Sequence, residues 1–91
     1  MVYIYVHHTV EDYGKWKAAF DAHAPLRKAG GSTENINILR NADDPNDLTV
    51  LIGWSDLQKA RAFSQSPELR AAMAQAGVTS QPTVRFLEAA A

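Results

Sequence analysis

The sequence predicts an α+β domain of β-α-β-β-α-β order, a four-stranded antiparallel sheet carrying its helices on one face. Three observations predict it. Four short segments are dense in β-branched and aromatic residues, and two longer stretches place apolar residues at helical spacing. Carboxylate and hydroxyl side chains stand where the helical stretches begin, as caps should. One run of turn formers, with no helical spacing, separates the second and third strand segments.

Val2 to Thr9 is the first strand. Glu11 and Asp12 put carboxylates at a helix start, where the helix dipole favours them. Tyr13, Trp16 and Phe20 come next at i, i+3 and i+7, a single apolar stripe. Pro25 resets the chain and starts a short turn from Leu26 to Ala29, which Gly30 and Gly31 end. Ile36 and Ile38 alternate with Asn35 and Asn37 in a second strand, Thr33 to Arg40. Residues 41–47, Asn-Ala-Asp-Asp-Pro-Asn-Asp, read as a hairpin loop. Leu48 to Trp54 is the third strand. Ser55 and Asp56 cap a helix carrying Leu57, Ala60 and Phe63. Ser66 as N-cap and Pro67 at the first helical position restart it, and Leu69, Met73 and Ala76 carry its stripe to Gly77. Pro82 to Glu88 is the fourth strand. The order is the split βαβ, or ferredoxin-like, plan. Residues 1–88 form one domain and residues 89–91 a tail.

Composition narrows the function. A net charge of −1 with no basic run argues against nucleic acid. Zero cysteines exclude disulfides, thiolate zinc sites and cysteine nucleophiles. No apolar run approaches the roughly 18 residues of a membrane span, and the N-terminus lacks the pattern of a signal peptide. The cytoplasm is the expected location. No G-x-S-x-G, Walker A or G-x-G-x-x-G stretch occurs, against hydrolase and nucleotide functions.

The two central strands are apolar on both faces. Val2, Ile4 and Val6 oppose Tyr3 and Tyr5, and Leu48, Val50, Ile52 and Trp54 oppose Leu51 and Gly53. Two helices cover only one face of such a sheet. The expected cover for the other is a second copy, in a homodimer packed sheet to sheet.

Several residues are candidates for chemistry. His7 and His8 end the first strand and point to opposite faces, so they cannot share a metal. His8 falls on the Val2, Ile4, Val6 face and, if that face meets the helices, lands near Tyr13 and Trp16. An imidazole beside aromatic rings can move a proton from a substrate, or can be a structural histidine bonded to a backbone carbonyl or to Asp12. Tyr13, Trp16, Phe20 and Trp54 are core residues by habit, or the lining of a flat pocket for an aromatic ligand. Arg40 and Arg85 can orient an anionic oxygen or form surface ion pairs. The acidic loop at 43–47 lacks the ligand spacing of a calcium loop.

The run His8-Thr9-Val10-Glu11-Asp12-Tyr13, then Trp16-Lys17, Phe20-Asp21, Arg40-Asn41, Trp54 and the stretch from Ala62 to Leu69, resembles the dimeric α/β-barrel superfamily. Within it the chain is similar to small proteins labelled cyclases or antibiotic-biosynthesis-monooxygenase-like. The resemblance implies a dimer and admits several activities, among them cofactor-free oxygenation of aromatic polyketides, haem degradation and cyclisation. The haem-degrading branch carries a helix-borne haem-ligating histidine, and neither the second helical segment nor the last strand here has one. The expectation is therefore an oxygenase or cyclase without metal or flavin, acting on an aromatic small molecule with His8 as base. Tyr13, Trp16, Phe20, Trp54 and Arg40 would contact the substrate. The alternative is a non-catalytic or stress-related dimer that binds a small ligand or none.

Overall fold

A computed structural model describes residues 1–90. Its elements are β1 (Val2–Thr9), α1 (Tyr13–Ala22), α2 (Ala24–Gly30), β2 (Ser32–Asn41), β3 (Asp44–Trp54), α3 (Leu57–Ser64), α4 (Pro67–Gln75) and β4 (Thr83–Glu88). Both expected helical stretches are present, each broken into two helices at a proline. The four strands form one antiparallel sheet in the order β2-β3-β1-β4. This is the ferredoxin-like α+β architecture the pattern predicts.

The helix starts obey the cap chemistry. The Lys15 amide donates to Asp12 Oδ2 at 2.8 Å, the Lys59 amide to Asp56 Oδ1 at 2.8 Å and the Leu69 amide to Ser66 Oγ at 3.2 Å. Gly31 ends α2 in the left-handed region, φ 114°, where a side chain would be strained.

One expectation needs correction. Residues 41–47 are not a loop: β2 runs to Asn41, β3 starts at Asp44, and only Ala42 and Asp43 turn between them. The turn formers are satisfied locally. Asn41 Oδ1 accepts from the Asp43 amide at 2.9 Å and Asp44 Oδ1 from the Asn46 amide at 3.0 Å. Such residues tighten a hairpin as readily as they lengthen one, and Pro45 is tolerated because its stretch of β3 is exposed.

Ile4, Val6 and His8 of β1 and Leu48, Val50, Ile52 and Trp54 of β3 are buried under the helices. The opposite face is open in the single chain. Its β1–β3 centre pairs Tyr3 with Gly53, Tyr5 with Leu51 and His7 with Thr49. It is therefore graded rather than uniformly apolar, with tyrosine and leucine at one end, Arg85 beside Tyr5 in the middle, and histidine, threonine and Asp47 at the other. At the polar end His7 Nε2 lies 2.6 Å from Asp47 Oδ1. Hydrogen bonds from Asn41 and His7 hold the Asp47 carboxyl below the ordinary aspartate value. No helix among the described residues is long and apolar enough to cross a membrane.

Candidate functional site

His8 is fixed by the chain just beyond it. After Thr9 the backbone is clamped to the α4–β4 connection: the Thr79 amide donates to the Thr9 carbonyl and the Glu11 amide to the Gly77 carbonyl, both at 2.9 Å. That clamp starts α1 directly over the end of β1 and turns its stripe onto the His8 face. The stripe is a rack of rings. Trp16 stacks on Phe20 with centroids 4.9 Å apart, Tyr13 lies 6.0 Å from Trp16, and His8 meets Trp16 edge-on at 5.9 Å. Guanidinium groups close both ends, Arg40 over Tyr13 at 4.0 Å and Arg27 over Phe20 at 3.9 Å.

Behind the rack lies a cavity of about 80 Å³, lined chiefly by apolar side chains from every helix and from β1, β3 and β4. That is room for a few waters and about half the roughly 150 Å³ of an apolar cavity that takes benzene, so one aromatic ring is the most it admits, with the lining side chains giving way. Its polar lining comes from His8, His23, Arg27 and Ser64. His8 is only 3% exposed, and its Nδ1 is buried without a hydrogen-bond partner among the described residues. A buried polar atom left unpaired is costly and calls for a reason. Burial holds the imidazole below its usual pKa, opposed only in part by its own backbone and by Asp47. His8 is thus neutral near pH 7 and has a lone pair to offer.

The structure brings His8, Trp16 and Phe20 together on the cavity wall and leaves the other expected contacts off it. Tyr13 extends the rack outward, and Arg40 is exposed, stacked on Tyr13 with Nε donating to the Pro45 carbonyl at 3.1 Å. Trp54 is 1% exposed and locked in the core. Its Nε1 donates to the Gly30 carbonyl at 2.9 Å and its ring tilts on Phe63 at 4.7 Å. A Cβ on Gly30 would come within 3.2 Å of that indole and 2.6 Å of Phe63, so the glycine admits the tryptophan.

His23 and Arg27 were missed as site residues. Arg27 is 5% exposed, with Nη2 2.9 Å from Glu34 Oε1, Nε 3.2 Å from Glu34 Oε2 and Nη1 donating to the Phe20 carbonyl at 2.6 Å. Burial alone would raise the Glu34 carboxyl, but hydrogen bonds from Arg27 and Ser32 bring it below its usual value. Glu34 reaches this position from a bulge in β2, at the positive φ of 58°. A signal did exist: Trp16, Phe20, His23 and Arg27 continue one stripe at spacings of four, three and four. Among the described residues no three His, Cys, Asp or Glu side chains gather as a metal site would need.

Solved structures that share this fold include proteins described as antibiotic biosynthesis monooxygenases and a cofactor-independent oxygenase. A protein from Bordetella bronchiseptica, proposed to be an antibiotic biosynthesis monooxygenase, superposes with a TM-score of 0.78 at 16% identity, covering 99% of this chain and 97% of that one. SnoaB, a cofactor-independent oxygenase from Streptomyces nogalater, gives 0.75 at 18% identity over 99% and 93%. Rv0793 from Mycobacterium tuberculosis gives 0.69 at 17% over 99% and 95%. The chain has the antibiotic-biosynthesis-monooxygenase fold. At these identities the likeness is one of fold, and that fold spans the chain. No protein-family model matches the sequence, and no curated protein matches it either.

Proposed function

We propose that the chain is a homodimeric, cofactor-independent oxygenase acting on a small phenol held in the helix-facing cavity, with His8 as the base. The observation that carries this is the buried imidazole of His8 beside Trp16 and Phe20, whose Nδ1 has no hydrogen-bond partner among the described residues. A phenol seated against the rings would donate its hydroxyl hydrogen to this imidazole. Deprotonation makes the ring electron-rich enough to react with dioxygen directly. A C–H ortho to the hydroxyl becomes a carbonyl, one oxygen atom entering the product and the other leaving as water. The ring supplies all four electrons, so the protein need offer only a dry pocket and a base. SnoaB's cofactor-independent oxygenation supports the same class here. The cyclase reading needs the same base and a flexible chain, for which a one-ring cavity leaves little room.

Oxygen uptake with a monohydric phenol, chelator present and flavin absent, tests this. Turnover should fall by about 100-fold or more in His8→Ala, the scale of general-base catalysis, and little in His7→Ala. Phenol binding without oxygen uptake in the unaltered protein would leave a non-catalytic ligand-binding protein as the better account.

A further inference from the structure

We infer that His23 is a second ligand-binding residue of the cavity, its Nε2 accepting a hydrogen bond from the ligand end remote from His8. The inference rests on the proposed use of the cavity and adds a selectivity to it. His23 sits at the junction of α1 and α2, half-buried, and lines the cavity. Its Nδ1 lies 2.6 Å from the Ala19 carbonyl oxygen. A carbonyl only accepts, so Nδ1 carries the hydrogen, and in the neutral ring Nε2 holds the lone pair. The junction is rigid: the His23 amide donates to Ala19 and Phe20 carbonyls at 3.1 and 3.3 Å, and the Arg27 amide to the His23 carbonyl at 3.1 Å. The ring is thus held by backbone on both sides.

The other polar groups of the cavity are committed. Arg27 spends its guanidinium on Glu34 and the Phe20 carbonyl, and Ser64 Oγ donates to the Arg61 carbonyl at 2.9 Å. Only the two imidazoles keep a nitrogen without a hydrogen bond among the described residues. They meet the ring rack at different points, His8 at its middle ring and His23 beyond its Phe20 end. His8 abuts Trp16, and His23 lies seven residues further along the same helical path, roughly 10 Å at 1.5 Å per residue. One aromatic ring with hydrogen-bond donors at its two ends spans that order of distance once two bonds of about 2.8 Å are added. The ligand class is a single ring, hydroxylated at one end and carrying a second donor opposite.

Two probes of similar shape, 4-methylphenol and 4-(hydroxymethyl)phenol, separate the outcomes when titrated calorimetrically under argon. The intact protein should prefer the second by about fivefold, the worth of one added hydrogen bond. His23→Phe should bring that ratio close to one. On the intact protein at pH 8, nitrogen-15 shifts should show His23 protonated at Nδ1, with Nε2 moving when 4-(hydroxymethyl)phenol is added. This second measurement decides the matter if the variant does not fold. Binding of both probes with a ratio indifferent to His23, or an Nε2-protonated ring, would overturn this inference alone. If neither probe binds the intact protein, the proposed function falls along with it.

Discussion

At the scale of single residues the main tension is the burial of His8. Unfolded, its imidazole binds a proton near pH 6.5; folded, it does so only at lower pH, because burial penalises the cation. Between those two values the unfolded chain holds more protons than the folded one. Stability contributed by neutral His8 is therefore complete above about pH 6.5 and is lost as pH falls towards the folded pKa. Urea titrations at pH 7.5 and 5.5 should show the native protein losing more stability on acidification than His8→Phe does. Equal losses in the two would mean that His8 protonates as readily folded as unfolded. The Arg27–Glu34 pair is a second buried polar unit, yet it poses no such tension, since each group supplies what the other lacks. That pair also explains why the sequence concealed Arg27. An arginine between Leu26 and Lys28 on a short segment reads as a solvent residue, and the carboxylate that makes its burial tolerable comes from a strand bulge that no local pattern announces.

Among the elements, α3 and α4 show how far local chemistry reaches. Ser66 caps α4 through the Leu69 amide, while Phe63 at the end of α3 is 8% exposed against Trp54 and the cavity. Ser66→Ala should cost about 1 kcal/mol, a cap's worth. Phe63→Ala should cost more, about 3–5 kcal/mol, since a ring leaves the core. Chemical denaturation of the two variants checks the order, and equal mild losses would place the stripe in solvent. These features were legible because capping and periodicity are local. The hairpin was misread for the complementary reason. Its seven turn-forming residues carry no information about pairing, and the pairing of Asn41 with Asp44 is decided by the neighbouring strands. Trp54 was legible as a strand-end aromatic, core by habit or lining a pocket, but local pattern did not choose between the two. Its place depends on Gly30, 24 residues away, whose missing side chain makes the room and whose carbonyl takes the indole hydrogen.

On the scale of the whole molecule, the uncovered sheet face governs behaviour in solution. Leu39 is 54% exposed and Leu87 38%, and both share that face with Tyr3, Tyr5 and Leu51. Side chains of this kind on one flat surface favour a partner with the same surface, and a two-fold pair supplies it. The gradient across the face sets where the pair would be tightest. The end with Tyr3 and Leu87 can be dried, whereas Arg85 beside Tyr5 and the His7–Asp47 end, with Thr49 and Thr83 beside it, hold polar groups that suit a wet rim. Sedimentation at micromolar concentration should thus give twice the 10.0 kDa chain mass. Tyr3→Glu, flanked by Leu87 and Gly53, would bury a charge at the dry end, and a cost of about 3 kcal/mol corresponds to a dimer weakened roughly 100-fold. Lys28→Glu, at an exposed position on the helical side, should leave the assembly as it was. A chain that sediments as a monomer at every concentration while still melting cooperatively would show that the sheet face tolerates water.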